Sequence, residues 1–394
     1  GPPSENPECD PGAGFPNGSD AHWIAAPDAG TAVFRKRIRI APVGFGEGTT
    51  GGSNAEPVLV AHDDLDGLVE ALKSDTPGVV VLEEGLPYDV HKTGDDVTMT
   101  EACPTACDGS DKMTLNLLPD DAPPCAMPEV VARNERKLHV GSNKTLVGLG
   151  RGAQLLGGTL ALGDSQNVVV RNVALYDINP DLIEAGDGIS IDGADGVWVD
   201  HVTFKDISDG FIDATKNSKN LTFSWVRNDG DNPKACLDRH PRSNELSVTT
   251  ATIHHTLWEH VNGRAPLATH EGSRVHLFDN VVSDFVGYAV GSACGAEVLL
   301  ETSTFDGTGA PTLKATCSDA PDEVGSIGAR GLGNRYSASV GPHQVGNATA
   351  GEPNDAVWRP TYAYTTDGAD TSQFVVPQRA GAGSRWRLPI PPAP

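Results

Sequence analysis

One periodicity constrains this chain more than anything else in it. Short β-prone runs recur at the spacing of a solenoid coil. They are KTLVGLG (144–150), QLLGGTLALG (154–163), NVVVRNVALYD (167–177), GISID (188–192), GVWVDHVTFKD (196–206), NLTFSWVRND (220–229), VTTATIHHTLWEH (248–260), RVHLFDNVVSDF (274–285) and EVLLETSTFDG (297–307). From 167 onward they share a shape: a small or polar starter, alternating apolar residues, another apolar pair, then Asp or Asn. Aligning Val168, Val197, Leu221, Thr250, Val275 and Val298 gives steps of 29, 24, 29, 25 and 23 residues. Repetition at that spacing stacks one supersecondary unit on the next. The runs are β-branched with no helical pattern between them, which excludes a Rossmann or barrel fold. Leucine-rich repeats would need a fixed Leu/Asn consensus, which is absent. An antiparallel sandwich also repeats its strands, but at shorter, hairpin-linked intervals. The spacing therefore predicts an all-β chain, a right-handed single-stranded parallel β-helix.

The remaining segments fit around that solenoid. Residues 1–30 are rich in Pro and Gly and read as an arm or linker, leaving 31–394 as one domain. The glycine-dense VGFGEGTTGG (43–52) suggests a close-packed backbone crossing. In DDLDGLVEALK (63–73), Leu65, Leu68, Val69 and Leu72 share one face at helical spacing and acids lead the first turn. Such a short amphipathic helix caps a solenoid end. VVVLEEG (79–85) reads as a strand, 91–135 as a long polar, Cys-bearing loop, and 351–394 as a segment packing on the β-helix.

Seven cysteines, Cys9, Cys103, Cys107, Cys125, Cys236, Cys294 and Cys317, have no histidine at zinc-finger spacing. Disulfides in an exported protein are the better reading, with Cys294–Cys317 a local pair and one thiol left over. The leading Gly-Pro is compatible with a removed signal peptide, so the expectation is a secreted monomer. The net charge of -24 argues against nucleic acid or an anionic membrane as partner, and no apolar run has membrane-spanning length. Excess acid on this scale serves solubility. Where acids cluster, it also suits a hard cation such as Ca2+.

Residues 186–213, GDGISIDGADGVWVDHVTFKDISDGFID, hold more carboxylates than their two β runs require. In a β-helix, equivalent positions one coil apart stack at roughly 4.8 Å. Asp187 to Asp209 is 22 residues, Asp209 to Lys234 is 25 and Lys234 to Arg264 is 30. Each step is about one coil, so all four fall on one face within roughly 15 Å, three rungs of that stacking. Asp213 joins them if the turn in DGFID loops outward. Carboxylates converging without a basic neighbour repel one another unless a cation binds. Taken singly, each is an ordinary turn Asp. Asp200 and His201 read as structural hydrogen-bonders at a coil turn. His254 and His255 read as one packed and one near the cleft, and Trp198 and Trp225 as core or coil cover. Arg239, Arg242, Lys216 and Lys219 read mostly as solvated loop charges.

Several segments together resemble the first family of polysaccharide lyases, the pectate and pectin lyases. GFGEGTTGG resembles its N-terminal signature and SNKTLVGLG (142–150) its SNKTIxGxG segment. GDGISIDGADGVWVDH resembles its GDAIxxxxxxxVWIDH block, and DGFID its DGxxD. ATIHHTLWEH resembles its VTxHHNxF, GRAPLATHEGSRVHLFDN its RxPxxRxGxxHxxNN, and YAYTTDGAD…AGAG (362–382) its C-terminal segment. The resemblance implies a parallel β-helix that cleaves polygalacturonan by β-elimination. It makes Asp187, Asp209 and Asp213 the calcium ligands, Lys234 the cation for a substrate carboxylate and Arg264 the base. Calcium suits such a site because it accepts oxygen from both protein and sugar acid. Arginine is an awkward base because a guanidinium normally stays protonated. Alkaline conditions or bound cations would have to help it.

The chain departs from that pattern in places. Thr269 replaces the second Arg of RxPxxR, so either Arg274 or His270 reaches the same uronate or that contact is missing; Arg239 falls on a loop next to the expected cleft and is a further candidate substrate contact. NDGDNPKACLD is loose around Lys234. Pectin lyases, which act on methyl-esterified substrate without calcium, also lack that second Arg, but they lack the acid set too. The reading is thus a calcium-dependent pectate lyase, with a pectin lyase as the alternative. A hydrolase on the same solenoid would need paired carboxylates, and the GHG and RIK of polygalacturonases are absent. A non-catalytic glycan-binding β-helix would have no reason to stack these charges coil upon coil.

Overall fold

The computed structural model describes residues 21–28, 31–39, 41–52, 55–92, 97–104, 112–115, 127–134, 136–233, 239–240, 242–317, 321–329, 333–355 and 358–383. Each coil of the solenoid supplies a strand to three faces in turn. In one coil these are Ile189–Asp192, Asp195–Asp200 and Thr203–Ile207. Neighbouring coils pair in parallel: Leu160 with Ile189 on the first face, Val170 with Val199 on the second and Leu175 with Phe204 on the third. The strand Ile212–Ser224 runs unbroken from the first face into the second, so those two faces form one sheet of 19 strands; the third face has nine. The interior is a single column of buried side chains, including Leu146, Val170, Val199, Phe223, Ile253, Leu277 and Leu300. This is a parallel β-helix.

The register repeats the sequence alignment with one correction. Val168, Val197 and Leu221 stack, but Leu221 is followed by Ala251 rather than Thr250, and then by Val275 and Val298. Thr250 lies just outside the column and its hydroxyl accepts the Asn220 amide (2.9 Å). The polar residue ending each second-face run also has a backbone reason. Asn172, His201, Trp225, His255, Asp279 and Thr302 all sit at positive φ (47° to 54°) where the chain turns into the third face. One left-handed residue per coil makes that turn. It also removes His255 from strand alternation, so His254 and His255 are both buried rather than one in and one out.

Helix α1, Leu65–Lys73, closes the N-terminal end. Asp64 caps it through Gly67, and Leu68 and Leu72 enter the core. Residues 43–52 cross the outside of the second face, where Gly46 and Gly52 donate to the hydroxyls of Thr222 and Thr145. A Cβ on Gly52 would lie 2.0 Å from the Gly78 carbonyl oxygen, which is why this crossing needs glycine. The stretch 91–135 is more ordered than its composition suggested. Val97–Pro104, Met113–Leu115 and Glu129–Asn134 join Leu182–Ile183 in a four-stranded sheet. Ala21–Asp28 and Thr31–Arg39 pair as an antiparallel two-stranded sheet. A second helix, α2 (Ala369–Arg379), lies in the C-terminal segment. That segment docks on the coils: the Tyr364 hydroxyl donates to Glu301 and Gly381 N–H to the Trp225 carbonyl. Cys294 and Cys317 are disulfide-bonded, as is Cys103. Among the described residues no helix is long and apolar enough to cross a membrane.

Candidate active site

Asp187, Asp209 and Asp213 converge on the first face. One carboxylate oxygen from each lies within 4.8 Å of the others. Asp187 precedes the strand Ile189–Asp192, while Asp209 and Asp213 bracket the start of Ile212–Ser224 on the next coil. The backbone ladder fixes this register, with Gly188 N–H donating to the Gly210 carbonyl (2.9 Å) and Ser190 opposite Asp213. Gly210 allows the turn to fold tightly, since a Cβ there would lie 2.0 Å from Asp213 Oδ1.

Each acid is electrostatically uncomfortable. Burial first, and the Asp209 charge second, push the Asp187 carboxyl up to about 7, although Oδ1 accepts the Gly210 amide (3.1 Å). Burial and then the charges of Asp187 and Asp209 hold Asp213 well above the usual carboxylate range, against a hydrogen bond from Glu245 N–H to Oδ1 (2.8 Å). Burial and Glu184 raise Asp209, while Arg242 and Arg264 pull it down. Desolvated like charges favour the protonated forms, or a bound cation.

The next two coils carry the cations. Phe211 N–H donates to the Ser243 carbonyl and Ser243 N–H to the Gly263 carbonyl (3.0 Å). The column beside Asp187 and Asp209 therefore continues through Arg242 and Arg264. The Arg264 guanidinium pairs with the Glu245 carboxylate and bonds the Tyr288 hydroxyl, while Arg242 pairs with Glu184. Tyr288 is raised by burial, with Arg264 opposing.

Lys234, expected between Asp209 and Arg264, lies outside the described residues. Among the described residues Arg242, whose sequence context read as a solvated loop, carries positive charge next to Asp209. Two expected substrate cations are engaged elsewhere. Arg274 opens a strand on the second face, where its guanidinium pairs with Glu297 (3.0 Å). Arg239 pairs with Asp284 (2.7 Å) at the third face. The substrate cleft implied for them is on the first face, so neither joins the acids. His270 follows the first-face strand Leu267–Thr269, at the end away from Glu245. Glu184, Glu245 and Tyr288 were not singled out from sequence, because one charge or hydroxyl in a variable coil carries no motif.

The donor set is all carboxylate oxygen, which fits a hard ion such as Ca2+ or Mg2+ and not a thiolate- or imidazole-seeking metal. A second group, His255, Asp279 and Asp367, also brings three potential ligands within 4.8 Å. There Asp279 already accepts the amides of Asp367 (2.7 Å) and Gly368 (3.1 Å) and the Ser372 hydroxyl (3.2 Å), which ties the start of α2 to the solenoid. A large cavity of about 1180 Å³, between α2 and the strand Arg335–Tyr336, has none of the three first-face acids in its wall.

A family model for pectate lyases matches residues 125–385. A probable pectin lyase F-2 of Aspergillus terreus is 29% identical over 309 residues, spanning 74% of this chain and 62% of that protein. A probable pectin lyase F of Emericella nidulans is 30% identical over 325 residues, spanning 75% and 68%. Among solved structures, a pectate lyase from Bacillus sp. N165 in complex with trigalacturonate superposes with a TM-score of 0.62 at 19% identity, covering 87% of this chain and 99% of that one. Pectate lyase II from Xanthomonas campestris pv. campestris gives 0.58 at 18% identity, with the same coverage.

Proposed function

The chain belongs to the pectate lyase family of polysaccharide lyases, and from that premise we propose that it is an exported, calcium-dependent lyase of α-1,4-polygalacturonan. The observation that carries this reading is the set of three desolvated carboxylates within 4.8 Å, with arginines on the following coils. Asp187, Asp209 and Asp213 would hold the ion. When bound, calcium would draw charge from a uronate carboxylate and so acidify the neighbouring C5–H.

The chain's own residues do the rest. Arg242 faces the same acids and supplies positive charge for substrate carboxylates, which a protein of net charge -24 must otherwise repel. Arg264, in its neutral form, takes the C5 proton. The electron pair forms the C4–C5 double bond, and O4 leaves with the departing chain and gains a proton from water. His270 at the strand end and Lys234 remain candidate contacts for flanking uronates.

A pectin lyase that needs no calcium is the second reading. It is favoured by the names of the relatives from Aspergillus terreus and Emericella nidulans and by Thr269, where the family's second Arg is missing. One experiment separates the two. Ultraviolet absorbance of the unsaturated product is followed on polygalacturonate and on highly methyl-esterified pectin, with calcium and with chelator. Absorbance on polygalacturonate that the chelator abolishes is the expected result. Product from esterified pectin alone, unaffected by chelator, would establish the second reading. Reducing ends without absorbance on either substrate would overturn both.

A further inference from the structure

Glu245 stands where the acid pocket meets Arg264. Asp213 and Glu245 are neighbours on adjacent coils, since Ala214 pairs with Leu246 on the same two strands. Ala214 and Leu246 point into the core, so the residues before them face outward, about 4.8 Å apart by the stacking of the rungs. The Glu245 amide already donates to Asp213 Oδ1 (2.8 Å), and its carboxylate pairs with Arg264 Nη1. Both partners are partly open, with side-chain exposures of 35% for Glu245 and 24% for Arg264, so neither is locked by packing. Glu245 is therefore a fourth carboxylate beside the pocket, turned away from three acids that repel it and toward the nearest cation.

We propose that Glu245 is a shared ligand: in the cation-free protein it holds Arg264, and when a divalent cation enters it turns to the pocket and releases Arg264. This rests on the reading of the three aspartates as a cation site. Calcium takes six to eight oxygens, so three aspartates leave room for a further carboxylate, and a glutamate one rung away has the length to reach. The exchange would couple the two halves of the site. An arginine paired with a carboxylate is held away from substrate. Recruitment of Glu245 by the ion would free that guanidinium only when the cation, and with it the substrate carboxylate, is in place. Glu245 acts here through Arg264 and is a positioning residue.

Titration calorimetry with calcium chloride, on protein without substrate, tests the exchange. Glu245→Gln is expected to weaken calcium binding about tenfold, and Glu245→Asp to recover part of that loss. Arg264→Gln removes the competitor for Glu245. It should tighten calcium binding more in the wild-type background than in Glu245→Gln, and such non-additivity is the signature of a shared group. If Glu245→Gln binds calcium as the wild type does, or the two substitutions add, the sharing is overturned while the three-aspartate site stands. If the wild type binds no calcium, the cation site itself is overturned and the sharing with it. Far-ultraviolet circular dichroism of each variant separates these outcomes from misfolding.

Discussion

Two carboxylate-bearing clusters lie on neighbouring faces of the solenoid, and they are built oppositely. On the second face Asp200 is buried with Arg171 (2.7 Å), His201 (2.8 Å) and the Ser224 hydroxyl (2.7 Å), and Ser224 in turn accepts from the Trp198 indole (2.9 Å). On the first face Asp187, Asp209 and Asp213 meet one another, and the nearby arginines Arg242 and Arg264 are each occupied by a glutamate. The first cluster satisfies its charge within the fold. The second brings like charges together, the arrangement proposed above to hold a cation. The first holds one carboxylate and the second three, and the whereabouts of the counter-charge sets them further apart.

The comparison breaks most visibly at the arginine side of the open cluster. Arg264→Ala should lower product formation by about 10² to 10⁴-fold, the usual worth of a positioned proton-transfer group. It should leave the melting temperature nearly unchanged, because Arg264 is partly exposed and its pair with Glu245 sits at the rim. Steady-state ultraviolet assays and calorimetry check the two halves. Near-full activity in this variant would remove Arg264 from the chemistry.

The aspartates should respond in opposite directions. Asp200→Asn leaves the buried Arg171 without its counter-charge and should cost about 3–5 kcal/mol of stability. Asp213→Asn removes one of three repelling charges, so the protein in chelator should melt higher than the wild type. The same variant should bind calcium about 10 to 100-fold more weakly. If Asp213→Asn destabilised the chelated protein as Asp200→Asn does, the open cluster would be scaffold after all.

The pH dependence sharpens the same contrast. Asp187 is raised to about 7 and Asp213 is raised as well, so both bind protons more tightly folded than unfolded. Their contribution to stability is full below the unfolded value near 4 and is lost as pH rises toward 7. Chelated protein should therefore lose stability between about pH 4 and 7 through these groups, and Asp187→Asn should flatten that slope. Calcium should cancel it by stabilising the ionised forms. Thermal melts across that range, with and without chelator, read all three effects.

The β-helix was legible because packing dictates its repeat: one buried column from Val168 to Val298 needs an apolar residue at each coil. The three aspartates were legible for a related reason, since Asp187 and Asp209 are separated by one coil with little insertion. Counting failed where the coil lengthens. Between Asp213 and Glu245 the chain takes 32 residues, so a one-coil step from Asp209 does not reach Arg242. Glu184 and Glu245 escaped because their role is set by the arginines they face, which depends on backbone register. The strands within 97–134 escaped because they pair with each other and with Leu182–Ile183, outside the coil repeat.

The smallest expected effect concerns Arg274, which the comparison with the family motif offered as one stand-in for the second arginine replaced by Thr269. Its strand belongs to the second face, and its guanidinium pairs with Glu297 one coil on while lying 5.8 Å from the centre of the Trp358 ring. With side-chain exposures of 52% and 36%, that pair is worth about 0.2–1 kcal/mol at most. Arg274→Gln should therefore shift the melting point slightly and leave kcat and KM on polygalacturonate within about twofold of wild type, since a surface substitution far from the reacting groups changes little. His270→Gln, on the same face as the acids, is the companion measurement. A tenfold rise in KM for Arg274→Gln, with no change for His270→Gln, would mean that substrate wraps from the first face onto the second. In that case the boundary between the two clusters would lie inside the binding cleft.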